Sequence, residues 1–289
     1  MNRLCNEIWN FQKELIISNG FHYEEYRIKT EDGYRIRCHR IVTGKTRPRP
    51  RTGRPVLFQI GLIMASDSWL LNGRKIDLAF QLADAGFDVW LADRRGNWYS
   101  REHSEYSQKS REFWNFSFHE SGYYDLPAII DRIIKITKYQ QIIFVGHSMG
   151  CTEFFVMASL RPEYNARIKA AILLAPAAIS PIKHEFKYLV LKVLIYISDA
   201  IFESLTDVGG YEMIPRDLQI IETLRKCCIT SDARKFCLDI FGWIFGDNRA
   251  NLNEVCISKV HFFFSRLKTS CIQWIRYFPV VYWLFKVES

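Results

Sequence analysis

Two strand-like runs near the start of the chain predict an antiparallel hairpin. They cover Tyr23 to Lys29 and Tyr34 to Val42, and Glu31-Asp32-Gly33 joins them. Asp-Gly is common in tight hairpin turns because glycine adopts the positive φ that such turns need. The fold is therefore expected to open with two antiparallel strands.

Beyond this hairpin, short apolar runs alternate with segments of helical pattern. The predicted strands are Pro55 to Ile60, Phe87 to Leu91, Gln141 to Val145 and Ala170 to Leu174. The predicted helices are Leu78 to Ala85, Tyr123 to Lys138 and Thr152 to Leu160. Apolar strands that alternate with helices are typical of a mostly parallel sheet covered on both faces. The pattern therefore predicts the α/β class.

The alternation ends near residue 178, which suggests three regions. Residues 12–178 are predicted to form the α/β core with its hairpin, and residues 179–253, with helix-like segments and a cysteine cluster, an inserted helical cap. Residues 254–289 form an unmatched tail. Within it, residues 255–289 hold nine aromatic side chains and scattered bases, without a clean period of either a helix or a strand.

Composition places the chain among ordinary globular proteins, with 48% hydrophobic and 24% charged residues and a net charge of +8. One basic cluster is interleaved with prolines and is therefore predicted to be an exposed loop: Lys45, Arg47, Arg49, Arg51 and Arg54. Such a loop could be attracted to an anionic lipid surface or to nucleic acid, but a solvated loop explains it more simply. We therefore predict no nucleic-acid partner.

Targeting and membrane segments are not evident. Met1 to Ile17 contains too many polar residues for the apolar core of a signal peptide. The most apolar later stretch, Tyr188 to Phe202, is interrupted by Lys192 and Asp199 and is too short to span a bilayer. We therefore predict no transmembrane segment.

The segment Gly146-His147-Ser148-Met149-Gly150 carries the clearest chemistry. It matches G-x-S-x-G, directly follows the predicted strand that ends at Val145, and opens a helical segment. This strand-turn-helix setting holds a serine in a strained turn with an exposed hydroxyl, so Ser148 is predicted to be a nucleophile. The two elbow glycines, Gly146 and Gly150, are expected because side chains there would collide with the neighbouring strand and helix.

With further matching blocks, the sequence resembles the acid lipase family, which includes the gastric and lysosomal lipases, over about residues 12–253. The blocks include Thr30 to Tyr34, Gln59 to Leu62, Ser68-Trp69, Ala83 to Leu91, Arg95 to Asn97, Phe113-Trp114, Tyr124 to Ala128 and the serine motif. The resemblance implies an α/β-hydrolase fold, hydrolysis of neutral-lipid esters by Ser148, and no cofactor or metal. It also implies an oxyanion hole formed by the backbone N–H groups of Leu62 and Met149, and a secreted or lysosomal protein.

The sequence departs from the family at two positions near the site. The family usually has His where Ile60 stands and Gln where Met149 stands. Because a backbone N–H is the working group at position 149, methionine there should preserve the donor. The change at Ile60 bears on the geometry of the loop that carries Leu62.

The cap offers a possible disulfide. On spacing alone Cys228 and Cys237 fit buried thiols, whereas the resemblance favours a Cys228–Cys237 disulfide in an oxidising compartment. Asn115-Phe116-Ser117 is a glycosylation sequon, but its aromatic surroundings favour burial over modification.

The proton-relay partners of Ser148 are not identified by the sequence. In this fold the acid and the histidine follow the serine, and the resemblance places both beyond residue 289. The only histidines that follow Ser148 are His184 and His261. A pairing of His261 with Asp247 is disfavoured because Asp247 belongs to the predicted cap and no predicted strand places His261 beside the serine. Two hypotheses follow: a neutral-lipid ester hydrolase, or a catalytically incomplete hydrolase-like protein that binds lipid or a partner.

Overall fold

A computed structural model of the chain describes residues 11–42, 53–62, 64–176 and the backbone of 283–285. The predicted cap and most of the predicted tail lie outside these residues. The strands are β1 (His22–Lys29), β2 (Tyr34–Val42), β3 (Pro55–Gln59), β4 (Asp88–Ala92), β5 (Glu102–His103), β6 (Ile142–His147), β7 (Ile168–Leu174) and β8 (Trp283–Phe285). The helices are α1 (residues 11–18), α2 (Leu78–Asp84), α3 (Phe118–Glu120), α4 (Leu126–Thr137) and α5 (Met149–Leu160).

The described strands form one sheet in the order β1-β2-β4-β3-β6-β7-β8, with β5 paired to β2. The central pairs β4/β3, β3/β6 and β6/β7 are parallel, while β1/β2 and β2/β4 are antiparallel. The α/β class and the opening hairpin are therefore confirmed. At the far edge, β8 pairs antiparallel with β7, which the sequence had not predicted because a three-residue strand is too short to show a period.

Two hydrophobic clusters cover the two faces of the sheet. Successive side chains of a strand point to opposite faces, so Leu57 and Phe144 join the cluster beneath α4 and α5. Their neighbours Phe58 and Val145 join the other cluster, which packs against α2. The parallel strands are thus buried on both sides, as their continuous apolar runs predict.

A π-helical turn, Ser121–Asp125, joins α3 to α4 and packs against α5. A Cβ added to Gly122 in this turn would lie 2.5 Å from the backbone oxygen of Glu153 in α5. Arg95 bonds through its guanidinium to Asp125 in the turn and to Asp32 in the β1–β2 hairpin. This buried ion-pair network ties the hairpin to the helices beside the serine motif.

Helix boundaries differ from the prediction in one informative place. The helix after the serine motif begins at Met149, three residues before the predicted start at Thr152. Because the helix starts directly after Ser148, its first free backbone N–H groups lie beside this serine.

Candidate active site

Ser148 occupies the sharp turn between β6 and α5, with φ of 51° and ψ of −118°. Its backbone N–H donates to the oxygen of Leu174 at 2.9 Å, and its own oxygen accepts from the N–H of Cys151 at 2.9 Å. A serine at positive φ is uncommon and strained, and here hydrogen bonds to β7 and α5 hold it. This is the strand-turn-helix geometry expected of an exposed nucleophile.

The two glycines of the motif are required by close approach. A Cβ on Gly146 would lie 2.7 Å from the Phe144 ring, and one on Gly150 would lie 2.7 Å from the backbone oxygen of Ile60. The second contact is with the backbone of the residue that follows β3, which cannot move aside as a flexible side chain can. Glycine at position 150 therefore lets α5 lie against β3.

The loop that follows β3, residues 60–62, lies directly against Ser148. We call it the oxyanion loop. A Cβ on Gly61 would lie 3.3 Å from the Cβ of Ser148 and 2.8 Å from Nδ1 of His147. Leu62, the next residue, exposes 60% of its surface, and Met149 is the first residue of α5. The two backbone donors predicted from the sequence thus belong to segments that adjoin Ser148.

His147 precedes Ser148 and is held neutral. Burial lowers the pKa of its imidazole to about 4. Its Nδ1 is buried and has no hydrogen-bond partner among the described residues, and its ring packs edge-on to Trp69 with centroids 6.4 Å apart. An imidazole in this state fills space beside the oxyanion loop.

A buried polar cluster that the sequence did not predict lies beneath the oxyanion loop. It consists of Gln59 on β3, Arg94 after β4 and Glu153 on α5. Gln59 Nε2 donates to Glu153 Oε2 at 2.6 Å, and Arg94 Nε lies 3.3 Å from Glu153 Oε1. Burial raises the pKa of the Glu153 carboxyl to about 7, although Arg94 opposes this shift. The one available signal was a glutamate within the apolar segment of α5.

A second buried polar cluster joins β1, β2, the end of β4 and the 3-10 turn Ser66–Trp69. Asp93 accepts from the backbone N–H of Ser66 at 2.8 Å and also from its hydroxyl, and His39 Nε2 lies 3.2 Å from the same carboxylate. Tyr23 is hydrogen-bonded to His39 Nδ1 at 2.8 Å. The cluster contains a serine, an aspartate and a histidine, namely Ser66, Asp93 and His39. Each of these three residues is at most 1% exposed, so no substrate reaches them. The role of the cluster is structural.

Five other residues considered in the sequence analysis lie outside the described residues: Cys228, Cys237, His184, His261 and Asp247.

The expectation that Asn115 is buried is wrong. Its side chain is exposed, because the preceding 3-10 turn, Glu112–Trp114, directs Phe113 into the core.

Within the described part of the chain, none of the helices has the length and apolar character to cross a membrane. The same residues contain no cluster of side chains suited to a metal ion.

Two sequence families match the chain. One, described as a partial alpha/beta-hydrolase lipase region, matches residues 12–73, and one described as the alpha/beta hydrolase fold matches residues 54–195. Together they cover the hairpin, the oxyanion loop and the serine turn.

Curated relatives agree with these families. Gastric triacylglycerol lipase from Homo sapiens is 46% identical over 166 residues, which cover 57% of this chain and 42% of that protein. Lysosomal acid lipase/cholesteryl ester hydrolase from Macaca fascicularis is 36% identical over 241 residues, covering 83% and 59%. Lipase member N from Homo sapiens is 35% identical over 256 residues, covering 88% and 62%. The chain spans about half the length of the curated relatives it matches. The matched families, the parallel sheet and the serine turn agree that the chain has the α/β-hydrolase fold, and the chain is similar in sequence to the gastric and lysosomal acid lipases.

Proposed function

We propose that this protein hydrolyses carboxylic esters of neutral lipids, acylglycerols or sterol esters, with Ser148 as the nucleophile. The observation that carries the proposal is the strained turn of Ser148 between β6 and α5, with Gly61 packed against it. Named relatives act on triacylglycerols and cholesteryl esters, which supports this substrate class.

In the proposed reaction, Ser148 Oγ attacks the ester carbonyl carbon while a base removes the hydroxyl proton. The carbonyl oxygen becomes negative and accepts hydrogen bonds from the backbone N–H groups of Leu62 and Met149. The C–O bond to the alcohol then breaks, the alcohol leaves with the proton, and an acyl-serine remains. Water, activated by the same base, hydrolyses this ester to release the fatty acid and regenerate the serine.

The base and its acidic partner are proposed to be a histidine and a carboxylate outside the described residues, in the chain order usual for this fold. The proposal includes a secreted or lysosomal location, supported by the gastric and lysosomal relatives. It also includes contact of the predicted cap, residues 179–253, with a lipid surface, supported by apolar residues there that recur at helical spacing.

The test compares hydrolysis of p-nitrophenyl butyrate, emulsified triacylglycerol and cholesteryl ester by the protein and by Ser148→Ala. We expect the protein to hydrolyse the chromogenic ester and at least one lipid, and Ser148→Ala to lose several orders of magnitude in rate. Equal rates for the two proteins would contradict the proposal. That outcome would instead favour a hydrolase-like protein that binds lipid without turnover.

A further inference from the structure

A buried arginine, Arg94, reaches from the end of β4 to the oxyanion loop. Its Nη2 donates hydrogen bonds to the backbone oxygens of Ile60 at 2.5 Å and Gly61 at 2.7 Å. Arg94 exposes only 8% of its surface, and the loop oxygens are therefore held by a cation from which water is largely excluded. A charged donor makes a shorter and stronger hydrogen bond than a neutral one.

The bond to Gly61 sets the direction of the next amide. The carbonyl of Gly61 and the N–H of Leu62 belong to one planar trans peptide and point in opposite directions. When Arg94 holds the oxygen, the N–H of Leu62 must point to the other side of the loop. The positive charge on the carbonyl side also polarises the peptide and strengthens its N–H as a donor.

Glu153 supplies the charge that a buried guanidinium needs. Its Oε1 lies 3.3 Å from Arg94 Nε, and its Oε2 accepts from Gln59 Nε2 at 2.6 Å. A buried charge without a partner is strongly unfavourable, so Arg94 is held beneath the loop most firmly when this carboxyl is ionised, above its pKa of about 7. Glu153 also lies on α5, the helix whose first residue is Met149.

We propose that Arg94, anchored by Glu153, is a positioning residue that orients the Leu62 N–H toward the oxyanion formed at Ser148. The pair links the two halves of the oxyanion hole, since Arg94 holds the loop that carries Leu62 and Glu153 belongs to the helix that begins at Met149. This inference rests on the proposed function.

The kinetic test uses Arg94→Lys and Arg94→Met. A lysine keeps the charge but lacks the fork that reaches the loop oxygens and Glu153 together, and methionine removes both. We expect kcat for p-nitrophenyl butyrate to fall about tenfold in Arg94→Lys and further in Arg94→Met, with KM changed less than about twofold.

The matched control is Arg40→Lys. Arg40 is also buried and forms ion pairs with Asp88 and Glu24, but these lie on β4 and β1, away from the oxyanion loop. This variant should lose stability and keep its kcat per folded molecule. An equal fall of kcat in Arg40→Lys and Arg94→Lys would overturn the proposal, because both would then act only through stability.

A second measurement does not need turnover. The ¹⁵N order parameter of the Leu62 amide in the folded protein should fall in Arg94→Lys and Arg94→Met and stay unchanged in Arg40→Lys. If Ser148→Ala has the same esterase rate as the parent protein, the proposed function fails. The order parameter of the Leu62 amide then still tests whether Arg94 positions the loop. An unchanged order parameter of the Leu62 amide in both Arg94 variants would overturn the positioning role of Arg94.

Discussion

Gly61 faces Ser148 so closely that a Cβ on residue 61 would lie 3.3 Å from the serine Cβ and 2.8 Å from Nδ1 of His147. The oxyanion loop and Ser148 are therefore packed against each other, although Gly61 and Ser148 are 87 positions apart in the chain. This contact makes residue 61 a sensitive probe of the site.

Gly61→Ala should lower kcat by about tenfold or more, because the added methyl group displaces the oxyanion loop and a shift of about 1 Å can cost two orders of magnitude. Steady-state hydrolysis of p-nitrophenyl butyrate measures the effect. Ile76→Ala, at an exposed position remote in sequence from the motif, serves as the control and should be neutral. A Gly61→Ala protein with full kcat would argue against an oxyanion role for this loop.

Ser148→Gly should be more stable than Ser148→Ala by about 1 kcal/mol, because glycine adopts positive φ without strain and alanine does not. Urea unfolding of both variants measures the difference. At exposed Lys135 in the last turn of α4 the order should reverse, with Lys135→Ala more stable than Lys135→Gly. The same order at both positions would mean that residue 148 carries no backbone strain.

Glu153 should make the protein less stable as the pH rises. Burial raises the pKa of this carboxyl from 4.5 to about 7, so the folded state holds a proton that the unfolded chain has already released. The stabilising contribution is complete below pH 4.5 and is lost as the pH rises through about 7. Arg94, Asp125 and Arg95 face this group and modulate the effect.

The measurement is the unfolding free energy of the protein and of Glu153→Gln at about pH 5 and about pH 8. The unfolding free energy at about pH 5 minus that at about pH 8 should be larger in the parent protein, where Glu153 titrates, than in Glu153→Gln. Arg94→Lys retains Glu153 and should retain a pH dependence of the same sign. Identical pH dependence in the parent and Glu153→Gln would show that Glu153 has an ordinary pKa.

Gly122→Ala should destabilise the fold by about 1–3 kcal/mol, as expected for overpacking between rigid elements. The added Cβ would lie 2.5 Å from the backbone oxygen of Glu153 and 2.7 Å from the Cβ of Val156, so the π-helical turn and α5 would have to separate. Urea unfolding checks this, with the exposed substitution Lys135→Ala as a control expected to change stability by less than about 0.5 kcal/mol. A neutral Gly122→Ala would show that the two helical segments can shift freely.

Sequence alone was sufficient for the hairpin, the alternation of strands and helices, and the tight strand-to-helix turn at Ser148. These features are written in local patterns: a two-residue turn signal, apolar periodicity, and five adjacent residues after a strand. Element boundaries were less accurate, as the start of α5 at Met149 shows. Capping and hydrogen bonds decide the ends of helices, and these depend on neighbours elsewhere in the chain.

Tertiary structure alone revealed the polar clusters around the site. Gln59 and Glu153 are 94 positions apart and Arg94 and Ile60 are 34 apart, so no local pattern joins them. Parallel strands bring such residues together, because the carboxyl ends of β3, β4 and β6 meet at one edge of the sheet. Five consecutive residues are thus enough to predict the nucleophile, whereas the contacts of Arg94 with the oxyanion loop and with Glu153 form only when β3, β4 and α5 pack together.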